Sequence, residues 1–182
     1  MKKRIFYWQI SGIIFTVALG VFLHFLYDLS GKIVLFGSFS AVNESIWEHM
    51  KILFFPMLIF ALIESFYLNE YKNFWTVKLK GIILGLITIP VIYYLFNGII
   101  GKSPDWLNIM IFVIATGVSF IYESRKFVKE KKEDTSGYKA LFLLGVIATL
   151  FVIFTYITPE LNIFKDPESN LYGMHFLLNS FI

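Results

Sequence analysis

The sequence predicts an all-α fold, a polytopic membrane helix bundle with five transmembrane helices, and three observations carry that prediction. Of the 182 residues, 57% are hydrophobic and 19% aromatic, and the mean hydropathy is +0.70. One soluble core of this length cannot bury so much apolar surface, so a bilayer must take up the excess. The apolar residues also fall into five runs, each about the 20 residues needed to cross roughly 30 Å of hydrocarbon. Finally, the basic residues gather in alternate connections, as they do in multi-pass proteins.

Span one covers 5–27, directly after Met1-Lys2-Lys3-Arg4. It is too long for the apolar region of a signal peptide and lacks a small-x-small cleavage site, so it is expected to stay attached. Span two covers 52–68 and is entered through an interfacial amphipathic helix, 43–51, that runs straight into it, with Pro56 as a kink. Span three covers 81–100 and contains Pro90, which bundles tolerate when neighbours satisfy the freed carbonyl. Spans four and five cover 106–122 and 140–157. The apolar tail 170–182 is too short to cross and is expected at the outer face. All of 1–182 reads as a single transmembrane domain.

Placing the N-terminus inside puts Lys2, Lys3, Arg4, Lys72, Lys78, Lys80, Arg125, Lys126, Lys129, Lys131, Lys132 and Lys139 on the inner side. Only Lys32, Lys51, Lys102 and Lys165 remain outside, a positive-inside pattern for a plasma-membrane protein with its C-terminus outside. The outer side then holds Asp28, Glu44, Glu48, Asp105, Glu160, Asp166 and Glu168 and is net acidic, a split that the overall charge of +3 conceals. Lysines in short loops beside spans are explained by topology and anionic lipid. The implied partner is membrane lipid, with no nucleic acid, and no protein partner is identified. The absence of cysteine excludes disulfides and thiolate metal sites.

The densest polar cluster is Asn43-Glu44-Ser45-Ile46-Trp47-Glu48-His49-Met50-Lys51, between two stretches that each suit lipid. Polar chemistry against a bilayer is costly and usually has a reason. The topology places all three histidines, His24, His49 and His175, on the same side as this cluster. One reading is a divalent-metal site such as zinc, with His24, His49 and His175 as nitrogen ligands and Glu44, Glu48 or Asp28 as oxygen ligand or support. Glu48 and His49 are then candidate catalytic groups, and Asn43, Trp47 and Tyr172 candidate substrate contacts. On a helix Glu48 and His49 point about 100° apart, so they would not readily chelate one ion together.

The plain reading of the same residues makes Asn43 a helix N-cap, Glu44 a first-turn acid near the helix dipole, Trp47 an interfacial anchor and His24 a partner of a neighbouring helix. A third uses Ser45 and His49 as nucleophile and base with Asp28 or Asp105 as orienter, but the chain has no nucleophile elbow. Elsewhere, Glu64 is expected to pair with Lys72 or Lys78, and Glu123 with Arg125 and Lys126, as structural contacts. Asn97 is expected to bond to a neighbouring helix. Ser65-Phe66-Tyr67 and Ser119-Phe120-Ile121-Tyr122, each followed by a basic loop and a span, suggest a faint internal repeat.

The run Asn43-Glu44-Ser45-x-Trp47-Glu48-His49-x-Lys51, with Phe164-x-Asp166-Pro167 and Tyr172-Gly173 in the tail, resembles a bacterial family of small integral membrane proteins known only as a domain of unknown function. The resemblance spans nearly the whole chain and implies a multi-spanning plasma-membrane protein without implying a substrate. Three classes of function follow. A metal-dependent hydrolase or transferase on lipid or lipid-linked material would use the outer cluster, as would a non-enzymatic binding or sensing partner. A transporter ranks last, because the spans offer few polar groups near the midplane. The tail is expected to turn at 165–170 and dock on 43–51, bringing Tyr172 and His175 toward Trp47 and His49. His175 would then lie within roughly 10 Å of His49 or His24, near enough to act directly or through one water.

Overall fold

The computed structural model describes residues 2–68, 70–100, 105–127 and 136–174. Within them the chain forms α1 (Lys2–Leu29), the short α2 (Val34–Gly37), α3 (Ile46–Tyr67), α4 (Phe74–Ile100), α5 (Asp105–Lys126), α6 (Gly137–Tyr156) and a 3-10 turn at Asn162–Phe164. The described residues contain no strand beyond one isolated bridge, Lys165 to Tyr172. All helices except α2 are long and apolar enough to cross a membrane, which suggests a multi-pass membrane protein. They alternate in direction. One end of the bundle gathers the start of α1 and the α3–α4 connection, the other gathers 30–45 and 157–174.

Helix α3 is the axis. It packs against α1, α4, α5, α6 and the 3-10 turn, and its most apolar stretch is 56% buried against 17% for α6. Leu53, Phe54 and Met57 of α3 form the centre with Ile82, Ala115, Leu144 and Phe151. Helix α6 leaves Phe142, Leu143, Val146 and Leu150 exposed, as a helix facing lipid does.

The polar stretch before span two is the start of α3 itself. Its N-cap is Ser45, whose side chain accepts from the Glu48 amide at 3.4 Å. Asn43 lies two residues further out and accepts from the Ser45 amide at 2.9 Å, so it shapes the turn before the cap without capping. Pro56 has no amide to donate to the carbonyl four residues back, and that carbonyl belongs to Ile52. Gly20 of α1 packs there: a Cβ at Gly20 would sit 3.3 Å from the Ile52 oxygen and run into the Phe112 ring. Leucine at Gly20 should therefore push α1 off α3 and α5 and lower stability by about 1–3 kcal/mol, read as a fall in thermal unfolding temperature in detergent.

Two lysines counted in the topology lie buried inside helices, Lys78 where a connection was expected and Lys51 in the helix expected to enter span two. Lys78 falls within α4, which begins seven residues earlier than the expected 81–100, and only 1% of it is exposed. It pairs with Glu64 of α3 and, at 2.6 Å, with Glu123 of α5. Glu64 thus takes one of its two expected partners, while Glu123 takes Lys78 in place of Arg125 and Lys126. The reason is the convergence of α3, α4 and α5 on one point. Lys51 is fully buried in α3. Its ammonium meets Glu48 Oε2 at 2.6 Å, the Gly37 carbonyl at 2.8 Å and Thr155 Oγ1 at 2.8 Å, which occupies all three of its N–H donors. Neither lysine reports topology, yet the remaining basic residues keep the same asymmetry.

Candidate metal centre

The 30–45 segment is fixed from several sides. The Ala41 amide donates to the Leu23 carbonyl of α1 at 3.2 Å, and the Val42 amide donates to Glu48 Oε2 at 3.0 Å. Asn43 Nδ2 reaches across to the Gly173 carbonyl of the tail at 3.1 Å. Gly173 has φ +60, and a Cβ there would strike the Thr158 side chain, so the tail approaches at a position where only glycine fits comfortably. Together these contacts hold Glu44 between α1 and α3.

There the carboxylate of Glu44 bridges two imidazoles. Its Oε1 lies 3.6 Å from His24 Nε2 and its Oε2 lies 3.5 Å from His49 Nε2. The rings meet edge to face at 5.4 Å between centroids. One donor atom from each of the three residues can be chosen so that all lie within 4.8 Å of one another. Two ligands held tetrahedrally at zinc bond lengths sit about 3.4 Å apart, so the carboxylate distances suit one ion with only small adjustments.

His49 gives the most direct chemical evidence. Its Nδ1 lies 2.9 Å from the Ser45 carbonyl, and because a carbonyl oxygen only accepts, Nδ1 carries a proton. In a neutral ring Nε2 is then a bare lone pair, and it faces the Glu44 carboxylate. Two lone pairs at that distance repel unless a cation, a metal or a second ring proton, lies between them. A metal-binding histidine characteristically donates its other nitrogen to a backbone carbonyl. Glu44 is held below the ordinary carboxylate range, first by its hydrogen bond with His24 and also by the charges of His49 and His24, against the opposing effects of burial and Asp166. It is therefore ionised at neutral pH, as a ligand must be.

A cavity of about 270 Å³ opens from this cluster. His24, Glu44, His49, Asn108 and Glu168 supply its polar lining, and Gly20, Ile52 and Phe112 its apolar depth. Its edge carries exposed Val21, Phe25 and Ile109, so it opens on the side of the bundle. The Oδ1 of Asn108 is buried without a hydrogen-bond partner among the described residues. Glu168 arrives through the turn expected at 165–170: Asp166 accepts from the Glu168 amide at 3.1 Å and from Ser169 Oγ at 2.5 Å, and Asn170 has φ 61.

Of the metal-site candidates, then, the structure brings together His24, Glu44 and His49, while His175 lies outside the described residues. Glu48 turns away from the cavity onto Val42 and Lys51. Trp47 packs on Phe151 at 4.5 Å and Phe164 at 4.6 Å, so the segment before the 165–170 turn lies on α3, while most of the tail expected to dock there, 175–182, lies outside the described residues. Asn43 uses both ends of its amide on backbone, and Tyr172 pairs with Lys165. Ser45 is engaged as a cap. Asn108 and Glu168 were not singled out. Asn108 had a readable signal, a lone amide one turn into span four, whereas the aim of Glu168 depends on a turn that sequence alone does not orient.

No curated protein and no solved structure matches the chain. The sequence model of one protein family matches residues 1–174, from the first span through the tail residues that contact Asn43. The chain belongs to that family, the Family of unknown function (DUF6512).

Proposed function

We propose that His24, Glu44 and His49 bind one divalent transition metal of the zinc type, and that the protein is a metal-dependent hydrolase or transferase on lipid or lipid-linked substrate. The single observation that carries this reading is the lone pair of His49 Nε2 aimed at an ionised carboxylate, with a second imidazole on the other carboxylate oxygen. Three protein ligands leave a coordination position open, and a metal there would supply an activated water and polarise an acyl or phosphoryl oxygen. The cavity favours an amphiphile: its side opening admits an acyl chain, while Asn108 and Glu168 face the polar end. Asn108 can orient a substrate N–H or O–H through its free Oδ1, and Glu168 is the candidate for moving a proton at the rim.

Elemental analysis of detergent-purified protein tests the site. Wild type is expected to carry about one metal per chain, and His49→Ala and Glu44→Gln to carry little. Metal-free wild type would instead favour a doubly protonated His49 paired with Glu44. Metal content should fall as the solution is acidified, because protons compete with the metal for His24 and His49 before they reach Glu44, whose carboxylate is held below its ordinary range. Metal bound without release of fatty acid or phosphate from lipid vesicles would move the assignment to a binding or sensing role.

The same reading places the protein in a bacterial plasma membrane with the site at the outer leaflet. The basic residues at the opposite end of the bundle support this orientation. Cysteine at Ser169 should react with an impermeant thiol reagent in intact cells, while cysteine at Ser136 should not. The reverse pattern would invert the topology.

A further inference from the structure

Far from the metal centre, the bundle buries a second set of ionisable groups that the proposed chemistry does not use. Glu64 lies fifteen residues beyond His49 on α3, or about 22 Å along the helix. Glu64 and Glu123 are fully buried and Lys78 is 1% exposed. Phenyl rings of Phe60, Phe74, Phe120 and Phe127 surround the Lys78 ammonium at 5.2 to 5.8 Å. Such a setting stabilises one cation, but it does nothing for a surplus anion.

The charges do not balance. Two carboxylates share one ammonium, which leaves a net negative charge inside an apolar bundle if both are ionised. Among the described residues, helix α1 contributes the neutral Gln9, whose Nε2 donates to Glu64 Oε1 at 3.0 Å. Other charged groups at this end lie at the rim. Arg4 lies 3.7 Å from Glu70 and also donates to the Tyr67 carbonyl. The neutral Tyr71 hydroxyl is buried in the adjoining cluster with no hydrogen-bond partner among the described residues, and Lys126 lies over Tyr122. The triad has no ion pair with Arg125 of α5 or Lys139 of α6 among the described residues. A buried unpaired charge is neutralised by binding a proton when no counter-ion is at hand.

The two carboxyl groups are not equivalent. Both oxygens of Glu64 face a donor group, Oε1 the Gln9 amide by a hydrogen bond and Oε2 the Lys78 ammonium as an ion pair, whereas Glu123 meets only Lys78, at 2.6 Å on Oε2, and its Oε1 is buried with no partner among the described residues. Donors stabilise the ionised form, and a bare buried oxygen is better served by carrying a proton. We propose that the Glu64–Lys78–Glu123 triad is a proton-binding site that holds one proton at neutral pH, on Glu123. The bound proton makes the cluster neutral and lets α3, α4 and α5 close on it. This site does not depend on the metal reading, since it shares no residue with that centre.

Infrared spectroscopy of the detergent-purified protein tests it through the C=O stretch of a protonated carboxylic acid. At neutral pH wild type is expected to show this band with an intensity of about one carboxyl per chain. Glu123→Gln should abolish it. Glu64→Gln should abolish it too, because Glu123 then becomes the sole counter-ion of Lys78 and ionises. Lys78→Met should raise it to about two carboxyls. Wild type without the band overturns the proposal, as does a band of unchanged intensity in both glutamine variants. The glutamine variants are close in shape to the protonated acid, so folding and site loss are separable by thermal unfolding on the same samples.

Discussion

Methionine in place of Lys78 is expected to lower stability at neutral pH by about 3–5 kcal/mol, the range for removing one partner of a buried ion pair. The substitution keeps most of the volume among the four phenyl rings, so packing loss contributes little and the effect is chiefly electrostatic. Glu64 and Glu123 would be left facing each other without a cation. In detergent the unfolding temperature should fall by about 10 °C, using the usual scaling for a chain of this size. The sign of the pH dependence is specific. The stranded carboxylates take protons more readily in the folded variant than in the unfolded chain, so acid should restore stability and alkali should worsen the loss. The triple variant with Glu64→Gln and Glu123→Gln removes every charge and should recover most of the deficit at all pH values. A triple variant no better than the single one would show that packing dominates.

The fold was legible because its signal is coarse. Runs of apolar residues announce five helices long and apolar enough to cross a membrane whatever their neighbours, and Pro56 and Pro90 inside two of them did not hide it. Span limits were less legible at α4, because Lys78 and Lys80 look like loop residues until their surroundings are known. Lys78 is internal only because α3 and α5 each deliver a carboxylate to it, and pairing across three helices leaves no local mark. The candidate site shows the same division. His24, Glu44 and His49 were nameable from residue type and from the side of the bilayer assigned to them. Glu44 was named with the histidines as the metal set, but that Glu48, expected as a catalytic group, would be a support was not legible, because its position turns on the cap. With Ser45 capping, Glu48 sits inside the first turn and folds back on Val42, while Glu44 stays outside the helix and free to reach both histidines.

That support role carries the second large effect. Lys51→Met should lower stability by about 3–5 kcal/mol, because it strands the buried Glu48 carboxylate. It also removes the donor shared by the Gly37 carbonyl of α2 and Thr155 of α6. Glu48→Gln in the same chain should restore much of that loss, since a glutamine oxygen can still accept from the Val42 amide while leaving no charge behind. Full recovery is not expected, because the Gly37 carbonyl remains without its donor. The metal readout should separate the pair from the site it supports. Lys51→Met loosens the segment that carries Glu44 and should weaken metal binding about 10- to 100-fold, the range for losing an outer partner of a metal ligand. The double variant should bind more tightly than the single one. If both bind metal like wild type although Lys51→Met is strongly destabilised, the Glu48–Lys51 pair serves the fold alone, and Glu44 is placed by Asn43 and the tail.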